Sequence, residues 1–521
     1  HKEYRRQRQM CIRDRFEFED NPARTEYIRQ YRQHLAYARN PSQGNYSRII
    51  NSFAFVHTLG ANISSMVVNA ANVPMVVMPY LKGQYGDAKV REALGQASRD
   101  FFKSGFSMTK GIPGSAESIQ VKAMPSMLNY APGSAMANKY GTAINVWSSH
   151  GQLNKSHLYD TLEEGIHTNK LSKLNALMGW PMRQGERYNH EVTLLASYNL
   201  EMDRLSKKAS KEDLRLIEKT RKELQAQEDF AGTGKQITEQ EARETYAAMT
   251  AANINERTNG TSSAAAAARI SQSELGKLFY MYKRYSIGVH YLMFKAAKDG
   301  FAQAGLTPEE QRIARRQFAG MAGMNALMAG VGGVPFFGML GLLYSMFCDD
   351  DDDDLDTATR KYFGDFFYKG PVEYMTNLAV GSRLSPGDLI VRDLKPGDAS
   401  ATFQDRMLQL VGGPAYGVEE RLRRGINKMN EGNFERGLED VLPSFASNII
   451  KAGRYASQGT TTLRGDPITG DVNSWNVLAQ AFGFAPADYT RQVEINMREK
   501  GIDKYVNEQN TKFKRKWNMA R

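Results

Sequence analysis

A chain of 521 residues with 41% hydrophobic and 24% charged side chains lies near the globular average and is long enough for several domains. Its two cysteines, Cys11 and Cys348, exclude a disulfide framework. Its net charge of +11 suits an anionic partner, either nucleic acid or a membrane surface.

The chain opens HKEYRRQRQMCIRDR. The string MCIRDR resembles translated sequencing-adapter read-through, so residues 1–15 are read as a non-native leader on a fragment open at its N-terminus. Without their six basic and two acidic groups the net charge falls from +11 to +7. They hold no apolar core, so no signal peptide is expected, and a reducing compartment is.

Residues 16–183 read as a helical and irregular region. A helix is expected over 22–47, ending in the loop NPSQGNYS, and a short helix near 87–103. Between them, residues 49–81 form an uncharged stretch carrying Asn62, Ser64, Ser65, Asn69 and Asn72. Residues 105–153, rich in Gly, Ser, Pro and Met, read as irregular. Residues 184–304 read as long charged and amphipathic helices. Over 184–228 apolar positions recur at three and four, with acid and base mixed on the other face. Thr238 and Glu241 form a capping box for the next helix, which TNGTSSA breaks. A further helix is predicted over 275–301. Thr307-Pro308-Glu309-Glu310 caps another, with Thr at the N-cap and Pro at the first helical position.

That helix feeds the segment 305–355. Residues 318–348, FAGMAGMNALMAGVGGVPFFGMLGLLYSMFC, are uncharged and are followed by six aspartates, 349–354. The length exceeds the roughly twenty residues a spanning helix needs. Arg312, Arg315 and Arg316 lie on one side, as in an oriented segment with its arginines cytoplasmic. Gly330, Gly332, Gly333 and Pro335 interrupt the middle, so either one kinked helix crosses or two half-helices make a hairpin. Phe318, Met328, Pro335, Phe337, Leu342 and Phe347 mark the candidate membrane segment. Gly320 and Gly323, with alanines at 319, 322, 326 and 329, give a smooth face for close helix contact. The stretch 49–81 is less apolar and reads as an assembly interface, because its Asn and Ser side chains need internal partners in lipid. Residues 356–521 read as a turn-rich helical region, with short helices at 414–429 and 443–457. The fold class expected is mainly α: an extended multi-helix structure with irregular Gly/Pro-rich segments and one or two membrane-competent apolar helices or hairpins.

Chemistry-bearing patterns are sparse. AGTGKQ at 231–236 lacks the first glycine and the hydroxyl residue of a phosphate loop, since Asp229 and Gln236 occupy those positions. His150, His157, His167 and His190 lie near Glu163 and Glu164, but Glu164 and His167 supply one pair where a di-iron bundle needs two. Glu117-Ser118 is a trace of a lytic transglycosylase without its following segment or a second carboxylate. No catalytic, cofactor or metal site is expected. Along 275–301, Phe279, Tyr280, Tyr282, Tyr285, Tyr291 and Phe294 interleave with Lys277, Lys283, Arg284, Lys295 and Lys298. Stacking rings with cations suit contact with DNA or another anionic surface. The same pattern also suits an amphipathic helix with snorkelling lysines.

Four segments occur in order: TLGANISSMVVNAANVPMVVMPYLKGQYG, GERYNHEVTLLASYNL, LGKLFYMYKRYSIGVHYLMFKAA and LEDVLPSFASNIIKAGRYASQGTTTLRGDPI. Together they resemble the C-terminal part of the large internal virion, or ejection, proteins of short-tailed phages, and similar phage polyvalent-type polypeptides. The resemblance covers residues 45–490 in scattered blocks and implies no catalytic residue. It implies a virion protein stored inside the capsid and ejected to the host inner membrane, forming part of a channel for genome delivery. The implied partners are copies of itself, other ejection or portal proteins, phage DNA without sequence preference, and the host membrane. The alternatives are a static capsid or portal-associated scaffold, or a fragment of a larger phage enzyme.

Overall fold

The computed structural model describes residues 22–39, 45–103, 135–150, 152, 177–260, 272–384 and 403–520. Within these spans, 274–275, 278–279, 281–282, 303–304, 338–339, 342, 345–354 and 471 are excepted. The fold is mainly α, as expected. Among the described residues the β pairing consists of two isolated bridges, Leu378 with Pro486 and Thr461 with Pro467.

The helices in chain order are α1 (Pro22–Arg39), α2 (Asn45–Thr58), α3 (Ile63–Ala70), a π turn (Val73–Val77), α4 (Met78–Tyr85), α5 (Asp87–Lys103) and α6 (Ala135–Ser149). There follow α7 (Trp180–Lys208), α8 (Lys211–Ala231), α9 (Glu239–Asn259), α10 (Lys283–Phe301) and α11 (Pro308–Ala329). After these come α12 (Leu355–Lys369), α13 (Pro371–Thr376), α14 (Gly381–Leu384), α15 (Phe403–Asn430), α16 (Phe434–Val441), α17 (Ser444–Gln458), α18 (Ser474–Ala481) and α19 (Ala487–Ala520).

The caps explain several boundaries. Thr238 with Glu241 and Thr307 with Glu310 form the expected reciprocal boxes. Ser210 with Asp213 forms a third, which splits the charged stretch 184–228 into α7 and α8. Replacing such a cap by alanine costs about 1 kcal/mol.

α7 is the structural axis. It packs against α9, α5 and α3. Val192, Leu194, Leu195 and Ala196 are wholly buried. The sequence reading gave this helix a charged solvent face, and the structure corrects it. Glu191 and Glu201 are buried, and each is neutralised one turn away, by Arg187 at 2.6 Å and Arg204 at 2.7 Å. Tyr85 also donates its hydroxyl to Glu201 at 2.8 Å. Pairing of this kind lets a charged helix enter a core that would otherwise reject it. Trp147 of α6 fills the space beside it, donating Nε1–H to the Ala248 carbonyl at 2.9 Å and meeting Tyr198 edge-on.

Candidate functional site

The two uncharged runs of the sequence meet in space. α4, from the first run, packs along α11, which carries the start of the second. Small residues set the approach. A Cβ on Gly83 would lie 2.5 Å from Cγ of Gln317, and one on Gly320 would lie 3.0 Å from Cβ of Pro79. Met321 is wholly buried, and Gln317 donates Nε2–H to the Tyr80 carbonyl at 3.1 Å. The smooth face expected on α11 is therefore in use: Gly320 touches α4, whereas Gly323 has open space where a side chain would go.

The first run holds the longer helical stretch. Ile63–Tyr85 spans 23 residues at a mean hydropathy of 1.2, long and apolar enough to cross a bilayer by length and composition. The π turn at Val73–Val77 interrupts its hydrogen-bond ladder where Pro74 lacks an N–H. The second run divides. α11 ends at Ala329, and Gly330 turns the chain with φ 72°. A 3₁₀ turn, Val331–Gly333, follows, and helical backbone resumes at residue 337. The described part of 318–348 is therefore broken after Ala329.

Asn69 and Asn72 of the first run are satisfied by the neighbouring helices. Asn72 donates to Asn259 Oδ1 at 2.5 Å and to the Thr258 carbonyl at 3.2 Å, and accepts from the Tyr285 hydroxyl at 2.7 Å. Asn189 donates to the Asn69 carbonyl at 2.7 Å and its Oδ1 at 2.9 Å. Asn259 continues the chain to Thr193 and Asn255, and Asn255 donates to Gln152 and to Nδ1 of His190. These asparagines act here as internal partners, the role that their presence in an apolar run demands.

Burial pulls the His190 pKa down to about 4, with the Asn255 hydrogen bond acting the other way. The unfolded chain takes up this proton near the ordinary value of 6.5, so between about 6.5 and 4 the unfolded state binds more protons. Stability contributed by neutral His190 is therefore present above 6.5 and lost on acidification. The slope is at most about 1.4 kcal/mol per pH unit. Urea midpoints at pH 7 and pH 5 should differ less in His190→Gln than in the native chain. Burial also holds His57 and His290 below the ordinary value, so an unchanged difference in the variant would assign the acid sensitivity to them.

Residues singled out in the sequence fall as follows. Phe318 is half-buried, edge-on to Phe301 at 6.1 Å, and Met328 is half-buried in the core. Pro335 is buried, and Phe337 is half-buried beside Tyr368. Phe336 next to them takes a positive φ of 76°, and its N–H donates to Nε2 of His290 at 3.3 Å. Leu342, Phe347 and the aspartates 349–354 lie outside the described residues. So do Glu117, His157, His167, Glu163 and Glu164. Among the cations, Lys283 is 4% exposed, which removes it from the proposed anion-contacting surface. Its position turns it toward the core, while the opposite side of α10 faces outward. Lys277 is half-buried, and the Arg284 side chain lies outside the described residues. Lys295 and Lys298 are exposed, with Lys295 3.6 Å from Asp299. Tyr291, Phe294 and Phe301 share this exposed side. Among the described residues no group of three metal-ligating side chains occurs.

A second exposed apolar surface was not anticipated. Tyr362, Phe363 and Phe367 of α12 and Tyr374 and Met375 of α13 are each more than half exposed. The signal was present in KYFGDFFY, where aromatics outnumber what one buried face can hold.

Comparison with protein-family models, with curated proteins and with solved structures gives no match.

Proposed function

We propose that the chain is a structural protein of a phage virion, ejected into the host to form part of a channel across the envelope through which the genome passes. The observation that carries the reading is the packing of the two uncharged runs against each other through Gly83, Pro79 and Gly320. A protein stored in water and later inserted must hide its membrane segments first, and small-residue faces that fit one another can do so. The exposed aromatics of α12 and α13 support the reading, because aromatic side chains clustered at a surface suit a bilayer interface. Lys295 and Lys298 beside Tyr291, Phe294 and Phe301 offer cations and stacking rings to passing DNA.

The resemblance to phage ejection proteins supplies the biological setting. The hydrogen bonds that hold Asn72 and Asn189 in the core favour a second reading, a static capsid or portal-associated scaffold. Vesicles of anionic phospholipid separate the two. On the channel reading, the purified chain makes such vesicles conductive and leaves Ile63–Tyr85 protected from protease. Complete digestion with no conductance would select the scaffold.

A further inference from the structure

Helices α15, α16 and α17 bring together more cation than the nearby carboxylates neutralise. Arg421, Lys428, Arg436, Lys451 and Arg454 gather around Glu439 and Asp440. Asp440 is taken by Lys428 at 2.6 Å. Glu439, 4% exposed, is taken by Arg454 through Nε at 2.7 Å and Nη2 at 3.2 Å. Arg436 donates through Nη2 to Thr461 Oγ1 and to the Thr461 and Thr462 carbonyls, which are uncharged and leave its charge unbalanced. Of the other described carboxylates, Glu419, Glu431 and Glu435 are exposed, and Glu420 is half-buried with no ion pair among the described residues.

Three groups are left facing this deficit. Arg454 is 3% exposed, and its Nη1 is buried with no hydrogen-bond partner. Lys451, half-buried and one turn before it on α17, has no hydrogen-bond or ion-pair partner among the described residues. Arg421 donates to Ser444 Oγ at 3.1 Å and to the Glu439 carbonyl at 3.4 Å. That places its guanidinium at the first turn of α17, whose N-cap, Pro443, supplies no side-chain acceptor. A cation at the positive end of a helix, in partly buried surroundings, is repelled by the dipole and by its neighbours. Burial lowers the pKa of both Arg421 and Lys451; Arg424 lowers Arg421 further, and Arg421 and Arg454 lower Lys451 further, against Glu439 and Asp440, which act the other way. Buried cations in this state are normally matched by an anion.

We propose that Arg421, Lys451 and the unpartnered Nη1 of Arg454 form an anion site that takes a phosphate group, free or on a polynucleotide backbone. A phosphate fits because it accepts from several donors at once and carries enough charge to balance the cluster. Glu439 then acts as a positioning residue: it fixes the Arg454 guanidinium through two of its nitrogens and leaves the third for the ligand. The site does not depend on the channel reading.

The test follows the thermal unfolding of the full chain in orthophosphate against chloride at equal ionic strength. Orthophosphate should give a saturable rise of roughly 2–4 °C in the native chain. Lys451→Met should abolish the rise, yet match or exceed the native chain in chloride, because it removes a charge that lacks a partner. A residue with a purely structural role would not give this split. Arg423→Met, on the exposed side of α15, should keep the rise. If Lys451→Met fails to fold, isothermal titration of the native chain with orthophosphate decides. A single-stranded octathymidylate that competes for the site assigns it to a nucleic-acid backbone, and one that does not compete assigns it to a free phosphate. Absence of any phosphate effect, or an equal effect in Lys451→Met, overturns the proposal.

Discussion

Gly330→Ala should destabilise the fold by about 4 kcal/mol or more, the largest single-residue effect expected in this chain. A Cβ there would lie 2.0 Å from the Tyr368 carbonyl oxygen and 2.5 Å from the Lys369 carbonyl carbon. Both are backbone atoms, so neither can swing away. The residue also holds φ 72°, which an L side chain adopts only with strain. Gly370 meets it from the other side, with φ 93° and room for a Cβ only 2.5 Å from the Gly330 nitrogen. Two glycines thus let the end of α11 touch the loop between α12 and α13 with no side chain between them. Gly323→Ala is the matched control. It lies in the same helix, a Cβ there meets nothing within 4 Å, and helix propensity alone should make it neutral or stabilising by up to about 1 kcal/mol. Urea unfolding of the two variants measures the difference. Equal stabilities would show that the contact at Gly330 does not constrain the fold.

Asn72→Ala should cost about 3 kcal/mol. The side chain is 3% exposed and serves Asn259, Thr258 and Tyr285 at once. Removing it leaves a buried carbonyl, a buried amide and a phenol without their partner, each worth about 1–3 kcal/mol when orphaned. Because the groups form one network, Asn72→Ala and Asn259→Ala should be less than additive when combined. Unfolding free energies that add within about 0.3 kcal/mol would show that the two asparagines act independently.

Local chemistry in the sequence carried the helix boundaries. Threonine followed three residues later by glutamate marked the starts of α9 and α11, and glycine with proline marked the break after Ala329. The small-residue face of α11 was also legible, because Gly320 and the alanines leave nothing else for that side to do than approach another backbone. Its partner was not. Gly83 and Gly320 lie more than two hundred residues apart, and no periodic pattern links helices over that distance. The charged character of α7 misled for a related reason. Charge suggests solvent unless each acid meets a base, and the Arg187–Glu191 and Glu201–Arg204 spacings of four and three residues were the available sign that these do. Lys283 was misplaced because a pattern of rings and lysines fixes an amphipathic helix without fixing which lysine lies on the buried side. The proposed anion site was not legible because its cations come from two helices, α15 and α17.

The account turns on whether the two uncharged runs, packed together in water, separate to enter lipid. A reversible lock across their contact asks this most directly. Pro79→Cys with Gly320→Cys, in a Cys11→Ser and Cys348→Ser background, places two thiols where the Cβ atoms would be 3.0 Å apart, and a small backbone adjustment brings them into disulfide range. Vesicle conductance is then recorded with the chain oxidised and after reduction. The account predicts no conductance from the oxidised chain and full conductance once the disulfide is reduced. Equal conductance in both states, or none in either, would contradict it.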